Sequence, residues 1–576
     1  MPFLPYRVLP LLVAGILAHS LPAQNAWRSS LYPEDWVAPH QADNPPSFIH
    51  DLFLQDFSYA GYRQGEQPIP QPEWKVFDAV EAFAADPTGE TDSTAAIQMA
   101  IDAASQKGGG IVFLQQGSYR LSLPPNADAC LSIHASNVIL RGAGTERTFL
   151  FNTTTAMRNA EIIRVRPPDW GSWTSETSQE VLLAADALGP TRTIALEQTE
   201  GFSVGDWIVV HNPATNAFVK ELNMAIGADG VSWLDQADSL GGPRILRRIV
   251  AIDTDNKAIT LDIPTRWALN TRDGARVYRT ASHLSEVGLE QFSIGNHRVP
   301  GSEWGETDYT DPSKPAYHAH DSFAIEMRGV VNGWIQDIRS FNPKNDNGAH
   351  LLSNGVKLEW SRNITLQRLH LSHAQYGGGG GNGYMIRLNS ANECLVADSE
   401  VGHCRHGIVM WRMENSGNVI TRCYDHNSGI QIADTSPQPT AGIGSDHHGV
   451  FSHSNLFDSN RVERAYLEAA YRGDWGGNPD HGMTSSQTLF WNTRGDAYHE
   501  KADYIVHSQQ FGHGYIIGTS GNASAIRLTE KRPGSAERTA PVDFSEGIDR
   551  GESLIPQSIY QDQLQRRTGV EAPASN

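Results

Sequence analysis

The chain has 576 residues, 39% of them hydrophobic and 9% aromatic, which is enough for a sizeable core and too much for wholesale disorder. It carries 45 basic and 65 acidic residues, a formal charge of −20, which argues against a nucleic acid or an anionic membrane as its main partner. Four cysteines in a chain this long do not make a disulfide-dense scaffold.

The chain opens with Arg7 and a nearly unbroken apolar run over 8–18, followed by Leu21-Pro22-Ala23; an alternative cleavage point follows Ala18-His19-Ser20. This reads as an export signal over 1–23, too short to span a bilayer. A secreted or periplasmic protein without a membrane span is expected, acting as a monomer. Disulfides are permitted there, and Cys404 and Cys423, about one repeat apart, are a candidate pair.

Residues 24–75 are Pro-rich and irregular, as expected of an extended segment laid over a larger body. Asp92 or Ser93 then caps a helix with an apolar stripe of Ile97, Ala100, Ile101 and Ala104, stopped by the glycines at 108–110. Two strands follow at 111–114 and 118–121, and the run LSIHASNVILRGAG again reads strand, turn, strand.

The stretch VFDAVEAFAADPTGETDSTAAIQMAIDAASQKGGGIVFLQQGSYRL resembles the N-terminal signature of the pectate-lyase-like right-handed β-helix proteins. It departs from that signature at Gln115-Gln116, where a proline is usual, and at Pro87-Thr88-Gly89-Glu90. The resemblance implies an all-β, right-handed, single-stranded parallel β-helix whose N-terminal helix caps the first rung. It says little of chemistry, because the superfamily includes lyases, hydrolases, epimerases and non-catalytic tail proteins.

Residues 185–282 leave the rung pattern. RTIALEQTEGFSVGDWIVV and RRIVAIDTDNKAITLDI read as local hairpins, so a small antiparallel β insertion is expected within a coil over 76–545. From residue 320 a repeat is visible: similar two-strand units begin at 325, 356, 386 and 411, offsets of 31, 30 and 25 residues. A period of this size means a solenoid. Asn332, Asn363, Asn392 and Asn418 fall near the bends, where stacked amides form ladders. The tail over 546–576 holds a short helix near Pro556, expected to dock through Ile559 and Leu564.

Alternation along the first strand of each unit sets the candidate site. Val356, Leu358, Trp360, Tyr384, Ile386, Leu388, Val409, Trp411 and Met413 are expected to point inward. Lys357, Arg387 and Arg412 then form one outward column, with Glu359, Asn389 and Glu414 beside it. Such a column is either a self-paired ladder or a groove for acidic sugars. Ten of the 22 histidines lie between His350 and His481. His406, next to Arg405, is the proton-transfer candidate, whereas His373 and His403 read as stacked turn residues. Asp446, His447, His448 and His453 cluster without a recognised metal spacing, so no metal ligand is assigned. Asp346 alone is thin support for calcium. Tyr471, Arg472 and Asp474 sit in a loop of sugar-binding composition, and 377–381 is a five-glycine edge.

No Walker loop, Rossmann fingerprint, HExxH or serine elbow is present. The expected activity is a polysaccharide lyase acting on an acidic polysaccharide. Arg387 and Arg412 neutralise the uronate carboxylate, His406 or Lys357 is the base, and Glu359, Asn389, Glu414, Arg405, Asp446, His447, Tyr471 and Arg472 contact substrate. In related families calcium often neutralises the carboxylate, which keeps calcium possible. The rivals are a glycoside hydrolase using Glu359 with Glu414, or Asp446 with Glu414, and a non-catalytic glycan-binding β-helix.

Overall fold

The computed structural model describes residues 25–168, 172–174, 178–222, 240–301, 304–344, 348–429, 443–472, 481–529 and 541–569. The expected export signal, Asp346 and Asp474 lie outside these residues.

Seven strands stack in parallel along one face: β1 (Phe323–Arg328), β2 (Asn354–Ser372), β3 (Tyr384–Asn392), β4 (His406–Trp411), β5 (Ser445–Gly449), β6 (Leu467–Ala469) and β7 (Val506–Ser508). A second stack runs through Val330–Ser340, the middle of β2, Leu395–Ala397, Val419–Thr421 and Leu456–Asp458. A third joins the end of β2 to Glu400–Gly402, Tyr424–His426 and Arg461–Glu463. Each turn of chain therefore visits three faces, and the fold is a parallel β-helix. The 19-residue β2 rounds its corners at Trp360, Asn363 and Arg368, all with positive φ. Alternate side chains fill one continuous interior, including Leu140, Leu289, Ile335, Leu358, Leu366, Leu388 and Met410.

The N-terminal helix, Thr94–Gln106, buries the expected stripe of Ile97, Ala100, Ile101 and Ala104 against the first rungs. Ser93 is the N-cap residue without a side-chain cap bond, and Asp92 Oδ1 accepts from the amide of Thr94, the first helical residue, at 2.9 Å. The coil leaves after Val165 and returns at Leu284. Between them six antiparallel strands, from Val181–Leu182 to Arg276–Arg279, form their own sheet and core. Glu393, fully buried on the coil, accepts from Arg247 at 2.9 Å and Arg266 at 3.1 Å, and thereby fixes this insertion to the rungs.

The segment from Trp27 to Tyr62 crosses the coil as a strap. Asn363 Nδ2 donates to the carbonyls of Tyr59 and Gly61, so this asparagine anchors the strap instead of joining a ladder. Amide stacking does occur farther along, where Asn418 Nδ2 donates to Asn455 Oδ1 at 3.1 Å. The C-terminal helix, Ile559–Thr568, packs Ile559, Tyr560 and Leu564 against Tyr32, Leu54, Phe57 and Trp491. All four cysteines are free and buried. Cys404 Sγ faces Ser428 Oγ while Cys423 Sγ lies by the Val396 carbonyl, so the candidate disulfide does not form.

Candidate active site

The strand register decides which side chains meet. Lys357 lies beside Arg387, and Glu359 beside Asn389, as the alternation requires. The next rung differs: Arg387 is beside Val409 and Asn389 beside Trp411. Arg412 is therefore not in the column. It follows the end of β4 with φ +88° and is exposed. The cause is a short rung, since β3 and β4 align at an offset of 22 residues (387 to 409) instead of 25. Ile408 and Met410 take the interior, which turns Val409 and Trp411 outward. Glu414 is likewise off the column. It is buried against the insertion, 3.1 Å from Arg244, and accepts from Ser390. Tyr384 also leaves its expected inward position. Met385 and Ile386 both enter the core, the alternation breaks, and the Tyr384 ring lies outside the interior cluster.

The resulting outward column reads Arg164, Glu326, Lys357, Arg387, Val409, Asp446, Glu468, His507. At its centre, Tyr384 and His406 are neighbours across β3 and β4, with rings edge-to-face at 4.9 Å. The Tyr384 hydroxyl is 3.2 Å from Nε2 of His448. His448 Nδ1 is 3.1 Å from Asp446 Oδ2 and 3.1 Å from Arg472 Nη1. Both tautomers of His448 are thus supported. A proton on Nδ1 is accepted by Asp446, and a proton on Nε2 leaves Nδ1 to accept from Arg472. Trp411 stacks on the His448 ring at 4.8 Å and 25°.

Arg472 bridges the two carboxylates, donating to Asp446 Oδ2 and, at 2.7 Å, to Glu468 Oε1. Glu468 Oε2 in turn meets His507 Nδ1 at 3.2 Å. Burial pushes the Asp446 carboxyl up, but His406, Arg472 and His448 outweigh it and hold the group well below the usual range. Burial drives His448 well below its ordinary value and His406 down to about 4. Burial lifts the Tyr384 phenol to about 12, against the pull of Arg405, Arg387 and Arg472. Near neutral pH the pair is a neutral phenol and a neutral imidazole.

Arg387 lies 5.4 Å from the Trp411 ring centre and 3.7 Å from Asp321. Lys357 is held at 2.7 Å by Glu326 in an ion pair. Glu359 accepts from Asn389 at 2.6 Å and pairs with Arg328. Arg405 spans Glu306 and the Gly378 carbonyl, stapling the five-glycine edge to the site. His406 Nδ1 is 2.8 Å from the Gly444 carbonyl. His447 is not at the site: it turns into the coil against Phe457, its nitrogens at 3.2 Å from the Glu468 carbonyl and Thr488 Oγ1. Tyr471 packs into an aromatic cluster with Phe218, Trp267, Phe451 and Phe511, which places the adjacent Arg472.

Sequence reasoning missed Tyr384, His448, Glu468, Trp411 and His507. The signal was the Asp446-x-His448 spacing, which puts both side chains on one face of a strand. Among the described residues, His406, Asp446 and His448 form the one cluster with metal-ligand spacing. The Arg472 guanidinium occupies Asp446 Oδ2 and the Nδ1 edge of His448, while Asp446 Oδ1 and His406 Nε2 have no partner.

The family model described as rhamnogalacturonase A/epimerase, pectate lyase-like, matches residues 77–180. Alginate lyase 7 of Azotobacter vinelandii is 46% identical over 71 residues, which is 12% of this chain and 8% of that protein. Mannuronan C5-epimerase AlgE5 of the same organism is 49% identical over 72 residues, 12% of this chain and 7% of that protein. The matched stretches span less than a tenth of these relatives. Among solved structures, the tailspike gp61 of Pseudomonas phage phi297 has a TM-score of 0.47 at 12% identity, covering 83% of this chain and 73% of that one. The Azotobacter vinelandii mannuronan C-5 epimerase AlgE4 A-module gives 0.36 at 13% identity, covering 82% of this chain and 100% of that one. The parallel coil, its capping helix and the family match over its first rungs are similar to the pectate-lyase-like parallel β-helix proteins.

Proposed function

We propose that this protein is an exported, monomeric polysaccharide lyase that cleaves a uronic-acid-containing polymer by β-elimination. The observation that carries the reading is the hydrogen bond between a neutral Tyr384 hydroxyl and a neutral His448 imidazole beside Arg387. Arg387 pairs with the C6 carboxylate and makes the C5 proton acidic. His448 Nε2 takes that proton. The C5–H electrons form the C4=C5 double bond, the C4–O4 bond breaks, and O4 leaves with the proton of Tyr384. The resulting phenolate and imidazolium lie within hydrogen-bond reach, so the proton returns from His448 to Tyr384 and the site resets. Base and acid on one side imply a syn elimination.

C5 epimerisation is the second reading. His406 Nε2 is a buried nitrogen without a partner, edge-on to both members of the pair, and offers a second proton carrier with O4 retained. The matched stretches of a lyase and an epimerase fit either outcome. A hydrolase fits less well, because Glu414 is committed to Arg244 and Asp446 to Arg472.

The test is a panel of uronate-containing and neutral polysaccharides, followed by ultraviolet absorbance of unsaturated uronate and by reducing-end assay. Unsaturated product from a uronate polymer is expected. New reducing ends without unsaturation would assign hydrolysis instead.

A further inference from the structure

The turn that enters β1 is held by a buried polar network. A short helix, Pro315–Ala319, ends at His320, and Asp321 follows with φ +50°, a left-handed conformation that few non-glycine residues adopt. Asn382, fully buried, fixes this turn. Its Oδ1 accepts from the Asp321 amide and from Ser353 Oγ, each at 3.0 Å. Its Nδ2 donates to the Gly379 carbonyl at 2.6 Å and lies 3.0 Å from His320 Nδ1. Ser353 Oγ in turn accepts from the Gly383 amide, and Asn354 Oδ1 accepts from the Tyr384 amide at 2.8 Å. One network thus holds the Asp321 turn, the glycine edge and the start of β3.

What this turn delivers is a carboxylate at Arg387. Asp321 Oδ1 lies 3.7 Å from Arg387 Nη1, beyond hydrogen-bond distance, and its side chain is 35% exposed. The Nε of Arg387 is buried with no hydrogen-bond partner. Neighbouring cations of the column are matched more closely. Lys357 stands 2.7 Å from Glu326, and Arg164 and Arg472 each pair with buried carboxylates. Among the described residues, Arg387 has no acid nearer than Asp321. A partly exposed pair at this separation adds little to stability, so stability does not account for a turn held by a buried network. The pair does act on any charge that Arg387 receives, because a carboxylate seated on this guanidinium has the Asp321 charge beside it.

We infer that Asp321 is the resident counter-ion of Arg387: it keeps the guanidinium in place in the empty site, competes with the carboxylate that arrives there, and so sets how tightly that carboxylate is held. The inference rests on the C5-proton reading above for the role of Arg387. The C6 carboxylate survives β-elimination, so substrate and product both meet Asp321, which loosens the hold on each and speeds product departure. Asp321 acts through Arg387 and is a positioning residue.

The test is a double-mutant cycle on the full chain, with Asp321→Asn and Arg387→Ala introduced singly and together. Asparagine adopts positive φ as readily as aspartate and keeps the amide that Asn382 holds, so Asp321→Asn preserves the turn. Binding is measured calorimetrically in a Tyr384→Phe background, so that it does not depend on turnover. The probes are uronate oligosaccharides from alginate and pectate, and the same oligosaccharides with their carboxyl groups reduced to alcohols. Asp321→Asn should bind the uronate probes about tenfold tighter, leave the reduced probes unchanged, and lose its gain when Arg387→Ala is also present. With Tyr384 intact, Asp321→Asn should lower KM by about tenfold and leave the single-turnover rate within about threefold, a split that a merely structural role would not produce. Unchanged or weaker uronate binding by Asp321→Asn, with Arg387→Ala still weakening it, would overturn the inference and leave the C5 chemistry standing. A gain that persists without Arg387 would also overturn it. Binding indifferent to Arg387→Ala would overturn the role of Arg387 in the C5 reading, and the inference with it.

Discussion

The Tyr384 hydroxyl lies 3.2 Å from Nε2 of His448, although the two residues are 64 apart in sequence and sit on different rungs. Asp446 and Arg472 together hold the far nitrogen of that imidazole in either tautomer. A phenol and an imidazole in direct contact, both neutral near pH 7, are the pair on which the proposed proton transfer rests.

Tyr384→Phe and His448→Asn should each lower turnover by at least about a hundredfold, the scale of losing a positioned acid or base. Both should fold, because Arg472 keeps its ion pairs with Asp446 and Glu468 in either variant. Steady-state kinetics with circular dichroism check this. A variant that keeps wild-type kcat would remove its residue from the proton-transfer role.

Arg387 and Arg412 separate the observed register from the one the repeat offsets suggest. Arg387→Ala should lower kcat/KM by about a hundredfold, as expected for losing one charge-stabilising donor. Arg412→Ala should leave it within about twofold, because Arg412 is exposed and off the column. Comparing the two under identical conditions reads the rung alignment directly.

Glu393 tests how the insertion is held. Arg247 and Arg266 converge on it in a fully buried site, and burial, with Arg362 and Arg266 nearby, lowers the Arg247 guanidinium to about 10 against the pull of Glu393. Glu393→Ala leaves two buried cations uncompensated and should cost about 3–5 kcal/mol. Chemical denaturation should show this loss, and limited proteolysis should become faster within 181–279. An unchanged transition would mean the insertion is held by its apolar contacts alone.

Stability should fall as pH drops from about 6.5 to about 4. Burial holds His406, His447 and His350 near 4 in the folded chain, against 6.5 as the ordinary value. In that window the unfolded chain binds protons that the folded chain refuses, so acid favours unfolding. Asp425 and Asp458, raised by burial to about 6, work in the opposite direction but are fewer. Thermal melts between pH 7.5 and 4 check the sign. Each kcal/mol lost lowers the midpoint by on the order of 2–4 °C or less in a chain of this size.

The fold was readable where local chemistry repeats. The apolar stripe of Ile97, Ala100, Ile101 and Ala104, the hairpin within RRIVAIDTDNKAITLDI and the spaced strand units each state their structure within a few residues, whereas RTIALEQTEGFSVGDWIVV is no hairpin, because Thr193–Ala195 pairs with Ala258–Leu261 and Trp207–His211 with two other strands of the insertion. The register was not, because it depends on corner geometry. The rung from β3 to β4 is shorter than its predecessors, and Met385 with Ile386 breaks the alternation by placing adjacent side chains inside. Arg412 and Glu414 were misplaced for that reason, and Tyr384 and Trp411 were read as core. Arg387 and Asn389 face outward as the alternation of their strand requires, and Asp446 and Arg472 meet beside them.

The central claim is proton removal at C5 by the Tyr384–His448 pair. Its most direct measurement is nuclear magnetic resonance of a uronate-containing polymer incubated in heavy water with the wild type and with Tyr384→Phe. The account predicts loss of the C5 proton signal and appearance of the C4=C5 vinyl proton with the wild type, and neither with the variant. Chain cleavage by the wild type with C5 protons intact, or an unchanged rate in Tyr384→Phe, would contradict it.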